Sequence, residues 1–309
     1  DYLNISQMKK LQETLLKHLA ENEAKTEEIP NVEYLKMFID AKQIEGCSER
    51  TLQYYRVTIE HMLGSIETPI RKITTDEIRG YLVDYQKVNN CSKVTVDNVR
   101  RNMSSFFSWL EEEDYILKSP MRRIHKIKTK QPVKETITDE MIEKLRDNCT
   151  CVRDLAMIDL LYSTGIRVGE LVGLNISDID FEERECIVFG KGDKERRVYF
   201  DAKAKLHLQE YIESRTDDNP ALFVTLDAPH ARLKISGVEI RVRELGRKLN
   251  IDKIHPHKFR RTMATRAIDK GMPIEQVQKI LGHSQIDTTM QYAIVNQNNV
   301  KVSHRRYIA

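Results

Sequence analysis

Apolar positions recur at helical spacing along most of the chain, and the places where that rhythm breaks mark its organisation. Met8, Leu11, Leu15, Leu16 and Leu19 would line one face of a helix from about Ser6 to Glu23, and the polar stretch Glu21 to Pro30 then reads as a tether, so residues 1–30 form one segment. From Asn31 to about Lys118 the pattern is helical throughout. Val32 to Gln43 makes a first helix that Gly46 stops, and Ser48 caps a second running to about Leu63. Thr74 and Glu77 stand at capping-box spacing for a third helix reaching Val88. Ser92 opens a fourth, in which Met103, Phe106, Phe107 and Leu110 form an apolar stripe beside Trp109; these aromatics read as core before base stacking.

Residues 119–133 interrupt the pattern. Lys118, Arg122, Arg123, Lys126, Lys128 and Lys130 crowd a short stretch broken by Pro120 and Pro132, which suits either a solvated linker or a strap lying along phosphates. Beyond it, residues 134–309 read as a second domain. Ile137-Thr138-Asp139 opens a helix, and Arg153 to Ser163 continues as a buried one. The period then shortens: Ile179 to Phe181, Cys186 to Phe189 and Arg196 to Phe200 read as a small antiparallel sheet. Helices follow at Ala202 to Ser214, Ser236 to Leu249, Pro256 to Lys270 and Pro273 to Leu281. The expected fold class is mainly α with a small antiparallel β-sheet, a helical domain of residues 31–118 preceding an α+β domain.

Composition permits many functions and selects few. With 309 residues the chain can hold two cores, and 40% hydrophobic with 31% charged residues describes a soluble globular protein. A net charge of +3 is too mild to announce a nucleic-acid partner. The five cysteines, Cys47, Cys91, Cys149, Cys151 and Cys186, have neither zinc nor redox spacing, which suits a reducing cytoplasm. Neither a membrane-length apolar run nor a signal-peptide pattern is visible.

Candidate chemistry lies in five short motifs of the second half. Arg167 and Glu170 belong to Thr164-Gly165-Ile166-Arg167-Val168-Gly169-Glu170, and Lys191 sits in Gly190-Lys191-Gly192-Asp193-Lys194 on the turn between the last two strands. His257 and Arg260 come from His255-Pro256-His257-Lys258-Phe259-Arg260, where a spacing of three shares one helical face. His283 closes Leu281-Gly282-His283, and Tyr292 follows Thr288-Thr289-Met290-Gln291. Alone, each has an ordinary reading: a turn between helices, a glycine hairpin, a core tyrosine. Lys191 opens no P-loop, because no Gly-Lys-Ser/Thr precedes a helix, and the histidines lack a cysteine or carboxylate at metal-ligand spacing. Together they supply a phenol nucleophile, two guanidinium forks that match a phosphate bidentately, fixed donors for developing charge and a proton source.

In motif order, wording and spacing the chain resembles the tyrosine recombinase family of phage-type integrases and Xer-like recombinases, over residues from about 31 to 295. The resemblance implies that Tyr292 forms a 3′-phosphotyrosyl bond, that Arg167 and Arg260 bind the scissile phosphate and that His257 and His283 donate to it. It implies Lys191 as the acid for the departing 5′ oxygen and Glu170 as the partner that orients Arg167, with no metal and no cofactor. Phe259 and Arg261 depart from the family's usual leucine and histidine without removing a catalytic atom. The first half resembles the family's core-binding domain, including Ser48, Thr51 and Tyr55, which makes Arg50, Gln53, Tyr54, Lys93, Asn98 and Arg101 candidates for DNA contact, joined by Arg122, Arg123, Lys126, Lys128 and Lys130.

The implied partners are double-stranded DNA carrying inverted-repeat core sites and further copies of the chain, as a homodimer on one site and a homotetramer in synapsis around a two-domain DNA clamp. Accessory DNA-bending or directionality proteins are further partners of such systems, and no membrane is involved. Two other classes use the same scaffold. A non-catalytic DNA-binding regulator would lack one or more pocket residues, whereas every pocket position is filled here. A topoisomerase-like relaxing enzyme would share the chemistry but act without a partner site.

Overall fold

The computed structural model describes residues 6–14, 29–129, 135–190, 195–251, 253–292 and 308. Contacts divide the chain into two compact units, Asp1–Pro132 and Val133–Ala309. No helix among the described residues is long and apolar enough to cross a membrane.

In the first unit residues 6–14 are helical, with Met8 and Leu11 exposed; Leu15, Leu16 and Leu19 lie outside the described residues. Four helices then build a core: α1 (Asn31–Ile44), α2 (Glu49–Ser65), α3 (Thr75–Val88) and α4 (Lys93–Glu112). Their starts follow the capping chemistry expected. Ser48 accepts from the Thr51 amide and Ser92 from the Thr95 amide, while Thr74 and Glu77 exchange both bonds of a capping box. Met103, Phe106, Phe107 and Leu110 are wholly buried on α4, with Phe106 edge-on to Phe38 at 5.2 Å. Asn102 donates to Thr58 at 3.0 Å, locking α4 to α2 with a satisfied polar pair.

The basic stretch after α4 is more tied down than a solvated linker. Residues 120–123 form a short 3-10 helix, Met121 is buried, and Ile124 and Ile127 pack on the helical core. Glu111 accepts from the Ser119 amide and from Arg122, and Asp97 accepts from the Ile127 amide at 3.0 Å. Lys126 and Lys128 remain exposed, and Lys130 lies outside the described residues.

The second unit is wrapped around one buried helix. Its elements are α5 (Asp139–Asp147), α6 (Val152–Thr164), α7 (Val168–Gly173), β1 (Ile179–Asp180), β2 (Glu185–Phe189), β3 (Glu195–Tyr199), α8 (Ala202–Glu213), α9 (Ile235–Lys248), α10 (Pro256–Asp269), α11 (Ile274–Leu281) and α12 (Ile286–Met290). Helix α6 is buried along most of its length, with Ala156, Met157, Ile158, Leu160 and Leu161 fully buried. Its two acids survive burial because each is paired. Asp154 accepts from Arg153 and Arg241, and Asp159 from Arg146 and His207.

The strands form an antiparallel meander in the order β1-β2-β3, with Cys186 opposite Val198 and Val188 opposite Arg196. Alternation turns Cys186, Val188 and Val198 into the core, so Arg196 faces inward as well. The fold class is the expected one, mainly α with a small antiparallel sheet.

Trp109 is the only tryptophan and is buried in the first unit, so its fluorescence reports that core. Replacing Phe106 by alanine should cost about 3–5 kcal/mol, the usual loss for a buried phenylalanine. Urea unfolding followed at Trp109 measures it, and a loss well below 1 kcal/mol would contradict the packing described.

Candidate active site

The site is assembled at the C-terminal end of α11. Gly282 ends that helix in a left-handed conformation at φ 63°, a backbone state that costs glycine little. The amides of Gly282 and His283 return to the carbonyls of Lys279 and Gln278. The next three carbonyls are met by arginine. Arg196 Nε donates to Ile280 O at 2.8 Å, Arg260 Nη2 to Leu281 O at 2.5 Å, and Arg167 Nη2 to Gly282 O at 3.2 Å. A helix C-terminus presents orphan acceptors and partial negative charge, which is why cations gather there.

Each arginine is held from a second direction. Gly165, also left-handed at φ 63°, closes α6 and offers its carbonyl to Arg260 Nη1 at 2.7 Å. Arg167 follows as the N-cap of α7, and Glu170 in the first turn accepts from the Arg167 amide at 2.7 Å and from its Nη1 at 2.8 Å. Arg196 forks onto the same carboxylate, with Nη1 to Oε1 and Nη2 to Oε2 both at 2.7 Å. Burial pushes the Glu170 carboxyl up, but the bonds from Arg196 and the Arg167 amide outweigh it and hold it below the usual carboxylate range. Arg260 is 1% exposed, and burial followed by the charge of Arg167 lowers its pKa to about 10, so it remains a cation at neutral pH.

His283 links the clamp to the tyrosine. Its Nε2 lies 3.0 Å from Arg260 Nη2, which can only donate, so Nε2 accepts; Nδ1 then carries the proton and donates to Thr289 Oγ1 at 2.9 Å. Burial, then Arg260 and Arg167, depress its pKa to about 4, which keeps the ring neutral at neutral pH. Tyr292 follows α12 and packs in a small apolar cluster with Ala264, Val277 and Leu281, its ring 6.0 Å from that of His283 and stacked at 26°.

The structure thus brings Arg167, Arg260, His283, Tyr292 and Glu170 together. His257 is exposed on the first turn of α10, its ring stacked 6.5 Å from His255, and its charge is among those that lower the His283 pKa. Lys191 lies outside the described residues. The cleft beside the clamp is lined by Arg167, Arg196, Lys279 and His283 and reaches Gly190 and Glu195, which precede and follow residues 191–194 in the chain. No group of three metal-ligating side chains is present among the described residues.

Sequence reasoning missed Arg196 and Thr289. Arg196 carried a signal: alternation from Val198 places it on the inner face of β3, where a cation needs a buried partner. In the first unit Arg50, Gln53 and Tyr54 form an exposed row on α2, and Lys93 and Arg101 are exposed on α4. Asn98 is half-buried and accepts from Arg101 at 3.5 Å. Arg122 and Arg123 are exposed, although Arg122 is engaged by Glu111 at 2.5 Å.

The depressed histidine has a measurable consequence. Between about pH 6.5 and pH 4 the unfolded chain binds a proton at His283 that the folded protein refuses, so folding stability falls as pH is lowered through that window. Urea unfolding should show this fall in the wild type and a shallower one in His283→Gln; equal falls would contradict the assignment.

Comparison with known proteins places these features. The family model described as Phage integrase family matches residues 133–299, and that described as Phage integrase, N-terminal SAM-like domain, matches residues 34–117. Tyrosine recombinase XerC of Oceanobacillus iheyensis is 30% identical over 290 residues, covering 88% of this chain and 95% of its own. Its counterpart from Leptospira interrogans is 32% identical over 287 residues, covering 89% and 92%. The Tn1549 transposon integrase, solved in complex with a circular intermediate DNA, superposes with a TM-score of 0.74 at 20% identity over 88% of this chain and 99% of its own, which shows a shared fold.

Proposed function

The chain belongs to the phage integrase family, the tyrosine recombinases, and on that premise we propose that Tyr292, Arg167, Arg260, His257, His283 and Lys191 are its catalytic set. The enzyme is a site-specific DNA recombinase that cleaves and rejoins DNA through a phosphotyrosine. The observation that carries the residue assignment is the convergence of Arg167, Arg260 and His283 on one helix end, with Tyr292 stacked beside His283.

The Tyr292 oxygen attacks phosphorus as its proton passes to a histidine of the set, and the bond from phosphorus to the 5′ oxygen breaks. The product is a 3′-phosphotyrosine and a 5′-hydroxyl, which takes its proton from Lys191. A 5′-hydroxyl from another strand reverses the step, so bond energy is conserved without an external source. Negative charge grows on the non-bridging oxygens at the transition state. Arg167 and Arg260, already fixed by Glu170 and by backbone carbonyls, meet that charge with little reorganisation, the condition under which such donors contribute most.

DNA is the partner of this chemistry. The exposed rows on α2 and α4, with Lys126 and Lys128, are the surface on which a duplex would rest. A pair of inverted half-sites would seat two copies by twofold symmetry, and two such dimers would exchange strands.

Tyr292→Phe should keep the fold and single-site DNA binding yet form no covalent adduct on a nicked suicide substrate, as read on a denaturing gel. An adduct in the variant would refute the nucleophile. Lys191→Ala should be slow on ordinary DNA and rescued by a substrate whose 5′ bridging atom is sulfur, because a thiolate departs without a proton. Arg260→Ala should not recover in this way, and equal rescue of both variants would remove Lys191 as the acid.

A further inference from the structure

Resting on the recombinase reading of the site, we infer that Arg196 is a positioning residue for strand cleavage. By holding the Glu170 carboxylate and the Ile280 carbonyl at once, it sets where Arg167 and the helix end leading to His283 stand. Its three bonds use the whole planar fork, with both Nη groups on Glu170 and Nε on Ile280. A lysine could bring the charge but not that geometry.

Charge accounting gives the role its content. The Glu170 side chain is 3% exposed and shared by two arginines, of which Arg167 is the more exposed, at 41% against 12% for Arg196. A phosphate that draws on Arg167 in place competes with Glu170 for its charge, and without a second partner the buried carboxylate would be left under-paired; Arg196 keeps it paired while Arg167 stays where folding set it. With Arg196 gone, Glu170 would draw more heavily on Arg167.

Two further features fit the fork to this place. A Cβ on Gly282 would lie 2.9 Å from Arg196 Cδ and 3.1 Å from its Nη1, so the glycine that ends α11 also admits the guanidinium beneath it. Arg196 is also the second residue of β3, so its bonds fix the start of that strand against the end of α11.

The test compares wild type, Arg196→Ala, Arg196→Lys, Glu170→Gln and the Arg196→Ala/Glu170→Gln double variant in single-turnover cleavage of the suicide substrate. Single-site affinity and thermal melting are measured alongside. The expected result is near-native binding by Arg196→Ala with cleavage slowed about 10- to 100-fold, the scale on which small displacements of catalytic groups act. Arg196→Lys should recover only part of this loss. In the Glu170→Gln background Arg196→Ala should add less, because the part of its effect that passes through that carboxylate is already lost.

A substrate carrying a neutral methylphosphonate at the scissile position separates positioning from general support of the fold. It asks less of Arg167, so the Arg196→Ala penalty should shrink on it, whereas a purely structural loss would be the same on both substrates. An unchanged cleavage rate, or a penalty identical in both backgrounds and on both substrates, would overturn the role. Should the alanine variant not fold, Arg196→Lys carries the same comparisons. Absence of an adduct with the wild type would overturn the recombinase reading itself, whereas a wild-type adduct with an unaffected Arg196→Ala overturns only the role of Arg196.

Discussion

Three guanidinium groups meeting the last carbonyls of one helix are the interaction on which this site depends. The end of α11 leaves acceptors that its own backbone cannot satisfy, and the amides of Gly282 and His283 close only the earlier ones. Arg196, Arg260 and Arg167 take Ile280, Leu281 and Gly282 in turn. Such a concentration of positive charge would be unfavourable by itself, and the lowered pKa of Arg260, owed first to burial and then to Arg167, records part of that cost. Glu170 offsets it by accepting from two of the three cations, while the helix end contributes partial negative charge from the other side.

That arrangement explains why distant pieces of sequence must be folded before any chemistry can occur. Gly165 and Gly282 both adopt left-handed turns, and each turn delivers a carbonyl to an arginine from another element. Helix α6, buried along most of its length, fixes Gly165; α10 carries Arg260, and the inner face of β3 carries Arg196. His283 inherits its place from the same helix end and its neutral state from burial first and then from the same cations. A phosphate entering the proposed site would therefore meet donors already positioned by folding, which is how preorganised electrostatics lowers a barrier.

Much of this was legible in the sequence, for local reasons. Ser48, Thr74, Ser92 and Thr138 announce helix starts because capping is a three-residue interaction, and all four do cap. The α4 stripe of Met103, Phe106, Phe107 and Leu110 is readable because helical burial is periodic. Arg167 and Glu170 could be paired on paper since one turn separates them. What stayed hidden depends on contacts between remote segments. Arg196 and Glu170 are 26 residues apart, and neither β3 nor α7 states in its own pattern which partner it will meet. The packing of Ile124 and Ile127 on the helical core was masked by the lysines and arginines around them.

The claim at the centre of this account is that the arginine clamp is fixed before DNA arrives. It can be observed directly by nitrogen NMR of the guanidinium groups in DNA-free protein. The account predicts restricted rotation and slow proton exchange for Arg196 and Arg260, held as they are by Glu170, Ile280, Gly165 and Leu281. Signals averaged like those of free arginine, sharpening only when DNA is added, would contradict it.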